Sequence, residues 1–495
     1  MENKAYEALM KAYFDENSLV KQQIDSYNLF VERKIKEVVA SSSVIKTNVE
    51  GFEIHIKDVR VANPRHYEVK GGYREILPME AKWRNLSYTA PVFLKMAGVI
   101  NGVELTHVPH DVFIGEIPVM VKSKLCLLFG KTREELIKAG EDPDDPGGYF
   151  VINGSERVLV SVEDLVPNKV LLSKETEKTE ARVLSLREGF RAKCVVRRNK
   201  EGFYTVDFPS LLKEVPLVLL VKALSYQNDE KFIESLPQKD KEFINDMLLN
   251  MEPFENMGKD EVIENLSKRL SPGQPEEYRM KRYELVINNY LLPHLGIEEK
   301  DRKAKALYLM RMAERVGKLA YGKMKADDRD HYGNKRVKLA GMLMEELFRY
   351  ALQYLIRDII YQASRAEARG RKLSVPTLVR QNTFSDRIRY AMATGNWVAG
   401  QTGISQLLDR VSYMSTLSHL RRIISPLSKK HPHFKARDLH GTHWGKICPS
   451  ETPEGPSASL VKNMALYAQI TTGEADADDV EAIAGELGVK KEWDE

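Results

Sequence analysis

The chain is 495 residues long, with 43% hydrophobic residues, 29% charged residues and a formal net charge of +4. That length and apolar content suit about three packed domains and exclude disorder throughout, while so small a net charge means that nucleic-acid binding cannot be argued from the total. Cys126, Cys194 and Cys448 form no Cys-x-x-Cys pair, which speaks against a zinc ribbon or a disulfide framework and fits a reducing cytoplasm; with no basic-then-apolar leader and no run near the ~18 apolar residues of a membrane span, a soluble protein is expected.

Residues 1–40 read as helices, because Leu19, Ile24, Tyr27, Phe30 and Ile35 recur at three-to-five-residue spacing among Lys, Gln and Glu. After Ser41, Ser42 and Ser43 the period changes to two. Phe52, Ile54 and Ile56, followed by Gly71 and Gly72, predict strands and a turn. Between Pro167 and Pro209, alternating runs at Val170–Leu172, Arg182–Arg187, Lys193–Arg198 and Gly202–Phe208 predict a small antiparallel sheet with a turn at Asn199–Gly202. Helical patterns follow over Lys239–Asn250, Lys259–Leu270, Glu276–Leu292 and Lys303–Lys323. Leu343, Leu347, Ala351, Leu355 and Ile359 then mark the core stripe of a long helix, and Tyr390–Trp397 forms another helical, turn-rich stretch. The tail, Glu474–Glu495, sets nine acids against Lys490 and Lys491. Its Val480, Ile483, Leu487 and Val489 suggest a short helix that docks, or else a frayed terminus.

Several constellations invite chemistry. Arg187, Arg191, Arg197 and Arg198 either face a nucleic acid or keep the outer face of a hairpin wet. Asp327, Asp328 and Asp330 have the chemistry of a hard-cation site, but acids interleaved with Arg329, Lys335 and Arg336 are better read as a charge network. His431, His433, His440, His443 and Cys448 match no common zinc spacing. Gln406, Asp409, Arg410, Arg421 and Arg422 read by themselves as the polar face of a helix and its exit turn. From Arg421 to Lys446 seven cations, Arg421, Arg422, Lys429, Lys430, Lys435, Arg437 and Lys446, face the single acid Asp438, so the natural partner of this stretch is a polyanion. The segment Asp438–Pro456 is broken by three prolines and three glycines, which turns the backbone repeatedly. Within it, Thr452–Gly455 suits a type I turn that would fix the direction of the Glu454 carboxylate.

The run from Gly403 through Ser412 to Arg422, the segment His443–Pro456 and the motif Leu460-Val461-Lys462-Asn463 resemble the fork of the second-largest subunit of multisubunit RNA polymerases. Leu77–Ala90, Phe113–Lys124 and Gly147–Arg157 extend that resemblance to the subunit's protrusion, and the wording is closer to archaeal and eukaryotic nuclear enzymes than to bacterial ones. Ser459 departs from the family, which usually has glycine there. The chain stops about where the split archaeal version of the subunit stops; a truncated fused subunit is the alternative.

The resemblance implies an α+β, multidomain chain: 1–168 as the first part of the protrusion, 169–337 as the lobe, 338–392 as the second part of the protrusion, 393–472 as the fork, and 473–495 as an acidic tail beginning the external region. It implies one wall of the DNA cleft and a fork loop near the active centre of a DNA-directed RNA polymerase. Gln406, Arg421, Arg422, Lys429, Lys430, Lys435 and Arg437 are expected to contact nucleic acid, and Glu454 to sit behind the active centre and orient a cation. His419 falls at the bacterial rifamycin pocket, although Leu420 and Ile424 do not resemble its lining. The metal motif Asn-Ala-Asp-Phe-Asp-Gly-Asp is missing, so Mg²⁺ is expected on the largest subunit, no metal on this chain, and no catalysis by this chain alone. The implied partners are the complementary B′ half, the largest subunit, the other polymerase subunits, the DNA template and the RNA–DNA hybrid, with no membrane. Without the B′ half, Leu460, Val461, Met464, Leu466 and Tyr467 are expected to lie exposed. The alternative function is a free-standing nucleic-acid-binding scaffold.

Overall fold

Burial of the stripe Leu343, Leu347, Ala351, Leu355 and Ile359 produces the 29-residue helix Ala340–Ala368, in which all five side chains are buried. Its first turn lies against the helix Lys21–Leu29, and a Cβ on Gly341 would fall 1.9 Å from the Ser26 carbonyl oxygen, so only glycine permits this approach. Gln23, 1% exposed, ties the two together: its Oε1 accepts from the Ala340 N–H, while its Nε2 donates to Ser161 Oγ and the Leu420 carbonyl.

A computed structural model describes residues 2–68, 72–105, 109–174, 178–225, 240–255, 257–472 and 477–488. Gly71, Lys239, Glu474, Val489, Lys490, Lys491 and Glu495, named above, lie outside the described residues, as do the other residues of 473–476 and 489–495. The chain is a mixture of helix and sheet in two units, one of residues 1–164 and 336–476, the other of 165–335 and 477–495.

In the first unit the helices Glu2–Glu16, Lys21–Leu29 and Ile35–Ala40 occupy the predicted region. An antiparallel sheet follows, in the order Val44–Lys46, Phe52–Val61, Thr89–Ile100, Val103–Glu104, with His110–Pro118 also paired to Thr89–Ile100. Phe52, Ile54 and Ile56 alternate inward as their spacing predicts. The helix Gln381–Thr394 packs on both Ala340–Ala368 and His110–Pro118 and ends at Gly395.

The second unit holds an antiparallel sheet in chain order, Val170–Lys174, Thr179–Arg187, Phe190–Arg198, Tyr204–Asp207 and Val215–Pro216. The turn predicted at Asn199–Gly202 joins its third and fourth strands. Its helices include Lys241–Met251, Lys259–Leu270, Glu276–Asn289 and Arg302–Ala320. Glu276–Asn289 ends short of the predicted Leu292, which takes φ +44° ahead of Pro293, because a proline disfavours the helical region for the residue before it. Three of the four arginines singled out in the sheet are paired within the chain: Arg197 binds Glu180 and Glu214, Arg198 binds Asp246, and Arg187 lies 3.5 Å from Glu188. The acids Asp327 and Asp330 are likewise engaged, Asp327 accepting from the Leu172 N–H and Asp330 pairing with Lys335 at 3.4 Å. The helix Ala477–Glu486 forms, but Val480, Ile483 and Leu487 are exposed, so no docked apolar face is found among its described residues.

Candidate functional site

The chain enters the site through a short strand. Gly403, at φ +78°, turns it into Ser405–Leu407, which pairs antiparallel with Ser155–Leu159 so that Gln406 faces Val158 in register. Ser412 then opens the helix Tyr413–Leu420, its side chain accepting from the Ser415 N–H in a capping box. Gln406, Asp409 and Arg410 therefore lie on a strand and a turn, not on the helical face predicted for them. After the helix, Arg422–Ile424 runs parallel to Ser161–Leu165 and antiparallel to Val461–Asn463.

These elements surround an open cleft of about 1080 Å³. Gln406, Arg422, Lys429 and Glu454, four of the residues singled out in the sequence, line it together with Glu451, Thr452 and Asn463. Gln406 is held in one orientation. The Asp409 N–H donates to His419 Nδ1 (3.2 Å), His419 Nε2 donates to Gln406 Oε1 (3.1 Å), and Gln406 Nε2 donates to the Gly403 carbonyl (2.9 Å). The chain of bonds requires a neutral imidazole with its proton on Nε2. Burial first, and then the field of Arg422, hold the His419 pKa down to about 4, in keeping with that state. Across the cleft Ser418 Oγ donates to Glu451 Oε1 (2.5 Å).

The cations of this region divide into two kinds. Arg421 is buried, and its guanidinium donates to the carbonyls of Leu19 (2.7 Å), Ala465 (2.7 Å) and Leu466 (3.1 Å). Burial lowers its pKa from the ordinary arginine value. Arg437 is spent in the same way, donating to Pro432 (2.7 Å), Ala458 (2.6 Å) and Pro456 (3.0 Å). Both guanidiniums are thus engaged within the chain, where they were expected on nucleic acid: the buried Arg421 and the half-buried Arg437 find acceptors for their donors in backbone carbonyls. Lys429, Lys430 and Lys435 are exposed, Arg422 is half-buried, and among the described residues no carboxylate pairs with any of the four.

Glu454 is exposed with φ −79° and ψ 166°, an extended conformation in place of the predicted type I turn. The turn forms one residue later, where Gly455 takes φ +71° ahead of Pro456 and its carbonyl accepts from the Ala458 N–H at 3.0 Å. Thr452 Oγ1 closes the loop, accepting from the Ser459 N–H (2.8 Å) and donating to the Val461 carbonyl (2.9 Å). Ser459 sits at φ +58°, a left-handed conformation that suits the glycine usual at this position.

Below the cleft, Lys462 and Glu163 form a buried ion pair at 2.8 Å that the sequence did not announce. Of the apolar residues expected to lie open, Leu460 and Met464 are covered by this chain itself, whereas Leu466 and Tyr467 are exposed. His443 is buried, and no group of three or more His, Cys, Asp and Glu among the described residues is placed to hold a metal.

Residues 18–386 match the family described as RNA polymerase beta subunit, and residues 406–470 match RNA polymerase Rpb2, domain 3. The chain is 46% identical over 495 residues to the DNA-directed RNA polymerase subunit Rpo2N of Methanococcus vannielii, covering 98% of this chain and 99% of that one. It is 44% identical over 499 residues to the Rpo2N of Halobacterium salinarum, covering 97% of this chain and 95% of that one. With subunit Rpo2 of Saccharolobus solfataricus it shares 44% identity over 472 residues, spanning 94% of this chain and 42% of the longer relative.

Proposed function

The chain belongs to the family of the RNA polymerase second-largest subunit, and from that premise we propose that its cleft carries the RNA–DNA hybrid, with Gln406 and Arg422 on the sugar-phosphate backbone and Lys429, Lys430 and Lys435 on downstream DNA. It is a subunit of a DNA-directed RNA polymerase, a nucleotidyltransferase of several chains. The observation that supports the hybrid reading is the meeting, in one open cleft, of an amide fixed by His419 and a guanidinium and an ammonium with no carboxylate partner among the described residues. Such groups hold backbone without reading sequence, as a hybrid that slides one step per addition requires.

In this reading 1–168 and 338–392 are the protrusion, 169–337 the lobe, 393–472 the fork and 473–495 the start of the external region. Arg421 and Arg437 brace the loops that carry the contacts instead of making them. Glu454 faces the complementary B′ half and orients a cation there. No donor set among the described residues fits a metal, so no step is assigned to a metal on this chain, and the catalytic Mg²⁺ is assigned to the largest subunit. The further partners are the remaining polymerase subunits and the DNA template. Among the described residues no helix is long and apolar enough to cross a membrane, and we assign the complex to the cytoplasm.

Reconstitution with Glu454→Ala and Glu451→Ala, followed by single-nucleotide addition on a preformed RNA–DNA scaffold, tests the assignment. Stranding a buried cation costs ~3–5 kcal/mol, so Glu454→Ala should slow addition by ~100-fold or more while assembly proceeds. Addition at the wild-type rate, or failure to assemble, would remove Glu454 from this role.

A further inference from the structure

On the far side of the segment that carries Gln406, Arg410 folds back over the strand Ser155–Leu159. Its Nε and one Nη donate to the two carboxylate oxygens of Glu156 at 2.7 and 2.8 Å, and the same Nη reaches Asp145 Oδ2 at 2.8 Å. The guanidinium lies over the Tyr149 ring, 4.9 Å from its centroid. Both carboxylates are also held from behind. Lys82 Nζ pairs with Glu156 Oε1 at 2.6 Å and donates to the Tyr149 hydroxyl at 2.9 Å, and that hydroxyl donates to Asp145 Oδ2 at 3.1 Å. Two cations, two anions and a phenol thus close a network in which Asp145 and Glu156 retain only 12% and 19% of their side-chain exposure. Burial opposes the Arg410 charge, but the Glu156 hydrogen bonds and the Asp145 field outweigh it and raise its pKa above the ordinary arginine value.

A clamp of this kind is usually a fastening and nothing more. What takes it further is where it acts. The residue before Arg410 is Asp409, whose N–H fixes His419 Nδ1 and whose Oδ1 accepts from the Val411 N–H and from Ser415 Oγ. The Leu408 N–H donates to the Glu156 carbonyl at 3.0 Å, so both ends of the turn are fastened to one residue. Without Arg410 the turn would keep the Leu408 bond, the Asp409 Oδ1 bonds and the Thr416 hydroxyl on the Asp409 carbonyl, but it would lose the clamp next to the Asp409 N–H on which the setting of His419, and through its Nε2–H of Gln406 Oε1, depends.

We propose that Arg410 is a positioning residue for the hybrid contact: by locking the 408–411 turn onto Glu156 and Asp145, it holds His419 in the orientation that aims the Gln406 amide into the cleft. The proposal rests on the function assigned above to Gln406. It also specifies arginine, because lysine has neither the fork for two carboxylates nor the flat face for Tyr149.

The test uses the reconstituted polymerase with Arg410→Gln, Arg410→Lys, Gln406→Ala and the double variant Arg410→Gln/Gln406→Ala. Assembly yield is measured first, then the lifetime of scaffold-assembled elongation complexes in rising salt, and the kcat and KM for nucleotide addition. Arg410→Gln is expected to shorten the lifetime by about fivefold, the worth of one neutral hydrogen bond, with no change in nucleotide KM. Arg410→Lys should fall between it and wild type, and the double variant should be no worse than Gln406→Ala alone, because both changes disable the same amide. Losses that multiply in the double variant, or a wild-type lifetime for Arg410→Gln when Gln406→Ala is impaired, overturn the positioning role and leave the hybrid contact standing. A wild-type lifetime for Gln406→Ala overturns both. Failure of both Arg410 variants to assemble makes the clamp a fastening only, and also overturns the proposal.

Discussion

Lys462→Met tests how the floor of the cleft is built. Lys462 Nζ and Glu163 Oε2 stand 2.8 Å apart, with 6% and 5% of their side chains exposed. Their strands, Val461–Asn463 and Ser161–Leu165, flank Arg422–Ile424, which leads Arg422 into the cleft. Desolvating two such charges costs several kcal/mol apiece and their attraction returns about as much, so the pair adds little net stability yet is costly to break. Methionine keeps most of the lysine volume without its charge and leaves Glu163 without the ammonium. The expected loss is ~3–5 kcal/mol, or on the order of 6–10 °C at ~2 °C per kcal/mol for a unit of this size. Glu163→Leu combined with Lys462→Met removes both charges and should recover most of that loss. Thermal unfolding at pH 7, followed by near-ultraviolet circular dichroism across the single and double variants, gives the cycle. A loss under ~1 kcal/mol for Lys462→Met, or a double variant whose loss is the sum of the singles, would refute the reasoning.

Lowering the pH should destabilise the wild-type chain through His419. With a folded pKa of about 4 against an ordinary 6.5, its contribution is whole above pH 6.5 and is lost as pH falls toward 4, because only the unfolded chain takes up the proton. The span amounts to about 3–4 kcal/mol, and His419→Gln should flatten that part of the stability–pH curve; an unchanged slope would mean that the imidazole is not held neutral. Ser459→Gly should relieve a left-handed strain of ~1–2 kcal/mol against a backbone-entropy cost of about 0.4–1 kcal/mol, giving a slight net gain in melting temperature, whereas Ser459→Val should lower it. Changing Lys429, Lys430 and Lys435 to Gln together should flatten the log–log salt dependence of complex stability by roughly 0.9 for each phosphate no longer neutralised, with no change in sequence preference; a constant slope would make the loop merely solvated.

Elements buried on one side could be read directly from the sequence. Leu343 to Ile359 repeat at helical spacing and Phe52 to Ile56 at strand spacing because each has a wet face opposite, and the helix Lys259–Leu270 begins and ends where its pattern does. Burial on all sides erases that contrast. Leu217–Ser225, with Leu217 to Leu224 all buried, even Lys222, has no wet face against which a period would stand out. Thr89–Ile100 is interior along most of its length and shows no clean alternation either. Gln23, Lys82 and Glu163 gave no local signal, since what makes each of them matter is a partner brought close only by the folded chain.

At the site, counting charge marked a region that partly lines the cleft but could not separate its cations. Arg421 closes the helix Tyr413–Leu420 and Arg422 opens the next strand. Neighbours entering an extended segment point to opposite sides, so with the cleft on one side, one of the two had to turn inward. Arg421 is the inward one. Its five donors needed acceptors, and the carbonyls of Leu19, Ala465 and Leu466 meet that need while fastening the link between the chain's first two helices to the segment after Val461–Asn463. Arg437 repeats the pattern on the loop that bears Glu454. A buried guanidinium of this kind organises backbone, while the half-buried one beside it lines the cleft with no ion-pair partner among the described residues; in the function proposed above, the same residue type, one position apart, would serve assembly in one case and substrate in the other. That division follows from which side of the strand faces the cleft, and local charge density carries no information about it.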